Sequence, residues 1–247
     1  MLIWLAPLFA CVALIYASVG FGGGSTYTAL LKLFKFDFKL IPVISLLCNI
    51  VVVTGGTIRF HRAGQYDWAK VLPLLAVSAP LAYFGGLYKI EEHTFLAILG
   101  FSLLLSAVAL LVPAQRMQQR QLPQPYLLAL SGAVGLLAGL SGIGGGIFMS
   151  PVLHLIRWSD ARRIAAFASI YILINSIAGV AGQLVKGGPA SFVGPLTAYW
   201  PLLIAVLAGG QIGSHVGVKL LSPRLLRGLT AILVGYVAIT ILYKIYG

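Results

Sequence analysis

The chain has 247 residues, of which 60% are hydrophobic and only 9% charged, with a mean hydropathy of +0.99. Soluble domains carry about 25% charged residues, so this chain cannot cover a water-facing surface and is not a soluble globular domain. Its formal net charge of +12 does not make it a nucleic-acid binder. The Lys and Arg residues lie in short loops between apolar runs, as topology signals do, and no basic helix or aromatic–basic sheet pattern occurs.

A membrane-spanning helix needs about 20 mainly apolar residues. The first such run, Leu2–Val19, has none of the charged–apolar–small pattern of a cleaved leader and reads as a retained span. A glycine-rich stretch follows, Ser18-Val19-Gly20-Phe21-Gly22-Gly23-Gly24-Ser25-Thr26, and then a short apolar run, Ser25–Phe36. Three full runs come next: Pro42–Ile58, Trp68–Tyr88 and Phe95–Val112. A polar linker, residues 113–125, rich in Gln and Arg, divides the chain into a first half, 1–112, and a second half, 126–247. The second half repeats the order: Tyr126–Leu140; a glycine-rich stretch from Ser141 to Pro151; a short run, Ile147–Ile156; then Ile164–Leu184, Trp200–Leu221 and Leu225–Tyr243. At 1.5 Å per residue the two short runs reach roughly half a bilayer.

Both glycine stretches contain G-x-G-G-G, 122 positions apart. Glycine in a helix interior costs about 1 kcal/mol against alanine, so three in a row are expected to break or bend the helix. Further matches join the halves. Asn49 and Gly56 align with Asn175 and Gly182 at an offset of 126. Ser78, Ala82 and Gly86 align with Gly209, Gly213 and Gly217 at 131, each set a small-xxx-small pattern that lets helices approach closely. The rising offset reads as loop insertion, with Gln183–Tyr199 outgrowing His61–Asp67. The expected fold is an all-α polytopic membrane protein of two homologous halves, each with a glycine-broken helix or hairpin plus three spans. If each break is crossed within one span, eight spans run in parallel halves. If each break is a hairpin tip, every half has five segments and the halves are inverted. The hairpin arrangement divides the 17 Lys and Arg eleven to six between the faces, the eight-span arrangement ten to seven. The positive-inside rule thus favours inverted repeats.

Matched breaks of this kind mark transporter sites built from discontinuous helices. A helix N-terminus carries roughly half a positive charge and unpaired N–H donors. Gly22, Gly23, Gly24, Ser25 and Thr26, with Gly144, Gly145, Gly146 and Ser150, therefore form a candidate anion site; the plainer reading is tight helix packing. No Gly-Lys-Ser/Thr follows either stretch, which removes a nucleotide loop. Asn49 and Asn175 are amides inside spans and need protein or water partners; they read either as site-lining donors or as interhelical glue. The acids Asp37, Asp67, Glu91, Glu92 and Asp160 all lie at span ends or in loops, leaving no mid-span carboxylate to carry protons or sodium. His215 lies within a span and is the candidate for proton coupling, its plainer reading being a hydrogen-bonded packing residue. Cys11 and Cys48 provide neither a disulfide framework nor a metal set. No catalytic constellation, metal site or cofactor motif is present, so an enzyme is not expected.

With the two G-x-G-G-G breaks, the Asn in the following span and the duplication in view, the sequence resembles the TauE/SafE sulfite-exporter family, the TSUP permeases, over essentially its whole length. The most specific parts are Gly20-Phe21-Gly22-Gly23-Gly24 and Gly142-Ile143-Gly144-Gly145-Gly146 with Ser150-Pro151 behind; the first copy has Thr28-Ala29 in place of Ser150-Pro151. The resemblance implies a bacterial-type inner-membrane carrier for sulfite, sulfoacetate or related organosulfonates. The expected partners are a small anionic substrate and the lipid bilayer, with a homodimer plausible for a chain this short. An anion channel with the same site, or a non-transporting membrane scaffold, are the alternatives.

Overall fold

The computed structural model describes residues 2–18, 20–111, 122–188, 190–216 and 223–246. Most of the linker, along with Val19 and Gly217, lies outside them. The described residues form ten helices, five in each half. In the first half these are α1 (Leu2–Ala17), α2 (Gly24–Leu33), α3 (Ile41–Arg62), α4 (Trp68–Leu87) and α5 (Glu92–Leu111). In the second they are α6 (Gln124–Ser141), α7 (Gly146–Leu155), α8 (Ala161–Gly187), α9 (Ala190–Val216) and α10 (Pro223–Tyr246). Helices α3, α4, α6 and α8 are each long and apolar enough to cross a membrane. The outer surface carries large apolar side chains such as Trp4, Phe101, Leu105 and Ile232, which a soluble protein would hide and a bilayer accepts.

The helices follow the hydropathy runs with one difference. Gln183–Tyr199 is not a loop: α8 continues to Gly187 and α9 begins at Ala190. Gly188, directly after α8, has φ +72°. At the other end of α8 the Asp160 side chain caps the helix, accepting from the backbone N–H groups of Arg162 and Arg163 at 3.0 Å each. Asp160→Ala is expected to cost about 1 kcal/mol, measured as a lower midpoint in detergent-titration unfolding.

At the first glycine stretch the chain doubles back. Gly23 lies against Val12, and the Tyr27 ring stacks on Phe9 at 4.7 Å between centroids. A helix continuing forward from Ala17 would carry Tyr27 well beyond reach of Phe9 at 1.5 Å per residue. The same turn recurs in the second half, where Gly145 lies against Val134, again 122 positions on. Helices α2 and α7 are thus the short arms of two helical hairpins. Each ends in a cation with a left-handed backbone, Lys35 at φ +60° and Arg157 at φ +49°, also 122 apart. These arms end at opposite ends of α4. Lys70, in the first turn of α4, places its ammonium 5.9 Å from the Trp158 ring just after α7. Beyond the other end of α4, Lys32 of α2 pairs with Glu92 at 2.9 Å.

The halves pack with exchange symmetry: α1 lies on α9 as α6 lies on α4, α2 on α3 as α7 on α8, while α3·α8 and α5·α10 pair across the halves. The contacts fix the repeat register. Gly213 meets the Leu14 carbonyl as Gly85 meets that of Leu136, and Gly56 faces Ser169 as Gly179 faces Leu46. Arg59 reaches Gln211 as Gly182 reaches Tyr83. The structural offsets are therefore 122, 123 and 128, not 122, 126 and 131. The glycine match holds, while the other two sequence matches are each three residues out, close to one helical turn. Such a slip keeps the same helix face and the same small-residue spacing, so residue identity alone does not expose it.

In the loop after α3, Tyr66 packs with His61 and Trp68, an aromatic cluster of the kind found at membrane interfaces. Its hydroxyl donates to the Thr57 carbonyl at 3.3 Å. Burial pushes its pKa up to about 12, opposed in part by the neighbouring Thr57 side chain. The folded state holds the phenol proton more tightly than the unfolded chain. Stability from this group is full below the ordinary tyrosine value near 10 and falls as pH rises from there towards about 12. Tyr66→Phe is expected to reduce the alkaline loss of stability over that window, read from melting temperatures at successive pH values.

Candidate functional site

Each short arm begins at a glycine held where other residues are strained. Gly23, the N-cap of α2, has φ +90°, and Gly145, the N-cap of α7, has φ +81°. Neither N-terminus has a side-chain cap, and the first N–H groups of a helix have no acceptor within it. The tips are nevertheless buried: Ser25 is 1% exposed, Thr26 0% and Ile147 5%. Two positively polarised helix ends thus face the protein interior. None of the chain's five acids is there to neutralise them: Asp37, Asp67, Glu91 and Asp160 lie outside the helices and Glu92 begins α5.

Asn49, fully buried on α3, is wedged between the tips. Its Nδ2 donates to the Ile143 carbonyl of the opposite half at 3.3 Å. A methyl group added at Gly22 would collide with Asn49 Oδ1, one at Gly144 would come within 2.8 Å of Nδ2, and one at Gly24 within 2.5 Å of the Ile143 oxygen. Only bare backbone lets the two tips close on this amide. Asn49 Oδ1 itself has no hydrogen-bond partner. Ile172 of α8 also approaches both Gly22 and Gly144, 3.2 and 3.0 Å from the added methyls. At the offset of 123, Ile172 is the repeat equivalent of Asn49, so an amide and an apolar side chain stand at matched positions beside the tips.

Asn175 is not the partner of Asn49. It lies one turn further along α8, fully buried, with neither amide atom hydrogen-bonded. Tyr171, on the same part of α8, donates its hydroxyl to the Ser131 carbonyl at 2.8 Å. Ser78 and Asn175 stand near that hydroxyl, but neither reaches hydrogen-bond geometry with it. Ser176, also on α8, comes within 3.2 Å of a methyl added at Gly144, and its hydroxyl has no partner.

Ser25 and Thr26 belong to the tip, and both meet a residue that the sequence patterns did not single out. The Tyr16 hydroxyl lies 2.7 Å from Thr26 Oγ1 and 3.5 Å from Ser25 Oγ. Its repeat equivalent is Ala138, so duplication gave no signal for it. Ser45, likewise unread, donates to the Gly24 carbonyl at 3.0 Å. Ser150 is buried on α7, and its counterpart Thr28 bonds back to the carbonyls of Gly24 and Ser25. His215 is not at the tips. Its ring is exposed and bonds the Gln211 carbonyl of its own helix at 2.8 Å. It sits beside Arg59, which donates to Gln211 and Ser214; Arg59 is ten residues, about 15 Å, along α3 from Asn49.

Between the tips lies a cavity of about 10 Å³, lined by Tyr16, Phe21, Gly22 to Ser25, Ile143, Ile147 and Ile172. That is about the space of one water. An oxyanion with several heavy atoms requires the two tips to move apart.

Buried half-membrane helices meeting tip to tip inside a bundle of apolar spans define a polytopic membrane protein of the transporter class. The profile of the family described as Sulfite exporter TauE/SafE matches residues 5–241, and the chain belongs to that family of membrane transporters. It is 33% identical over 237 residues to the probable membrane transporter protein y4hK of Sinorhizobium fredii, covering 94% of each chain. It is 25% identical over 245 residues to a probable membrane transporter protein of Haemophilus influenzae, covering 92% of this chain and 91% of that one. It is also 23% identical over 264 residues to the probable membrane transporter protein MamO of Magnetospirillum gryphiswaldense, covering 90% of this chain but 42% of MamO. No solved structure matches the chain.

Proposed function

We propose that this protein carries small sulfur-containing anions, sulfite or organosulfonates, outward across the inner membrane by alternating access. The observation that carries this reading is the pair of buried, uncapped helix N-termini closing on Asn49. Such ends bind anions through backbone N–H groups and the helix dipole, without a buried Lys or Arg. In this reading Gly22–Thr26 and Gly144–Ser150 supply the donors, and Asn49 orients the anion with its amide N–H. Tyr16 steadies the first tip through Thr26. Asn175 and Ser176, with unpaired polar atoms in the same helix, join the lining when α8 moves.

The ends of α2 and α7 at opposite ends of α4 support inverted repeats, the arrangement in which exchanging the roles of the halves opens the site to the other face. Close backbone contacts such as Gly139 on the Ala82 carbonyl and Gly209 on that of Ala10 leave smooth surfaces along which helix pairs slide. What favours a carrier over a channel is that the tips touch and must separate for each anion. Proton coupling through His215 would act at the membrane face beside Arg59, not at the anion.

The test is a thermal-shift series on purified protein with sulfite, thiosulfate, sulfate, sulfoacetate, taurine and chloride. A ligand bound only by the folded state stabilises it by mass action, by about 2.7 kcal/mol at 100 times its dissociation constant. A selective rise with one sulfur anion is expected; a flat series at millimolar concentrations contradicts the assignment.

A further inference from the structure

A second cavity, of about 470 Å³, opens where the ends of α2, α5 and α10 meet, away from the glycine tips. Its size lies within the range of small-molecule sites, and its walls divide by chemistry. The floor is apolar: Leu96 is 9% and Ile241 6% exposed, with Ile245 beside them. The rim is cationic. Lys32, Lys35, Glu92 and His93 line it; Lys32 is neutralised by Glu92 at 2.9 Å, so the net positive charge is that of Lys35. Lys35 is exposed and has no acidic partner among the described residues. On α10 the cavity continues into a face that exposes Tyr236, Ile239 and Tyr243, the surface a bilayer covers.

We propose that this groove binds an anionic phospholipid, its headgroup phosphate on Lys35 at the rim and an acyl chain along Leu96 and Ile241. Three features select that occupant. The apolar floor is continuous with the lipid-facing side of α10, so the bound molecule has a tail. The free charge at the mouth is positive, so its head is anionic. The rim lies just beyond the ends of α2 and α5, at the level where headgroups sit. A soluble anion would leave the floor uncovered, and a zwitterionic lipid would bring, beside its phosphate, an ammonium that Lys35 repels, so a net-anionic headgroup is favoured. Helices α2 and α5 belong to the first half and α10 to the second, so a lipid seated there bridges the two halves.

The experiment is native mass spectrometry of the delipidated protein in neutral detergent, with equimolar phosphatidylglycerol and phosphatidylcholine in competition. Melting temperatures are measured in parallel with each lipid and with inorganic phosphate. Phosphatidylglycerol is expected to bind with a roughly fivefold preference, the factor for one basic residue at an anionic surface, and to raise the melting temperature. Lys35→Glu should abolish the preference, and Lys70→Gln, at the opposite end of α4, should leave it intact. Thr240→Trp, which fills the groove from an exposed position, should lower the occupancy of both lipids and serves if Lys35→Glu does not fold. Equal binding of the two lipids, a preference that survives Lys35→Glu, or the same stabilisation by inorganic phosphate would overturn the proposal. So would a dimer in detergent that Thr240→Trp converts to monomer, since the groove would then hold a second copy.

Discussion

Asn49→Leu is expected to leave the protein folded and about as stable as the wild type while reducing anion transport about tenfold to a hundredfold. The stability half of this expectation follows from poor satisfaction of the amide. Its Nδ2 makes one long bond, 3.3 Å to the Ile143 carbonyl, and its Oδ1 makes none. A buried polar atom without a partner costs about 1–3 kcal/mol; replacing the amide by an apolar group of similar size removes that cost, and the lost bond roughly offsets the gain. The transport half follows from position. The amide is the one polar side chain that touches Gly22, Gly24 and Gly144 together, and a hydrogen bond to a charged group contributes about 1.5–3 kcal/mol. A packing residue would behave the opposite way, with transport tracking stability. Melting temperature and initial rate on the same preparations separate the two.

Gly145→Val, and equally Gly23→Val, is expected to abolish transport and anion-induced stabilisation while the chain still inserts. Insertion depends on the apolar spans, which neither substitution alters. At Gly145 the backbone has φ +81°, and a Cβ would stand 3.0 Å from Tyr171 and Val134 and 3.3 Å from Ala138. Left-handed strain in a non-glycine residue costs of order 1–3 kcal/mol and overpacking about as much again. The cheapest relief is to displace the start of α7, and that moves the N–H groups the anion needs. Gly145→Ala, with the same φ penalty and no β-branch, should fall between. Anion-dependent thermal shifts on membrane-extracted protein check the series; full transport by both valine variants would remove the tips from the mechanism.

The two tips were legible because a run of glycine inside an apolar helix is costly enough to need a reason, and the reason recurs 122 residues later. The short arms were legible from run length, and the hairpin was one of two arrangements the glycines allowed. What sequence could not supply was register. Asn49 and Asn175 share a residue type and a following glycine seven positions on, and a slip of about one turn leaves both on plausible faces; only the contacts of Gly22 and Gly144 reveal that Ile172 is the counterpart of Asn49. Tyr16 was hidden for a related reason: its equivalent is Ala138, so neither duplication nor spacing marked it. The start of α9 at Ala190 is not legible from hydropathy, because Ala190 to Tyr199 is less apolar than a span core although its helix is continuous with one.

The most direct measurement is counterflow of labelled sulfite in proteoliposomes loaded with unlabelled sulfite, for the wild type, Asn49→Leu and Gly145→Val. The tip-to-tip carrier predicts saturable uptake that internal sulfite accelerates, sharply reduced in Asn49→Leu and absent in Gly145→Val. Uptake by the wild type no faster than in protein-free liposomes, or equally fast in both variants, would contradict it.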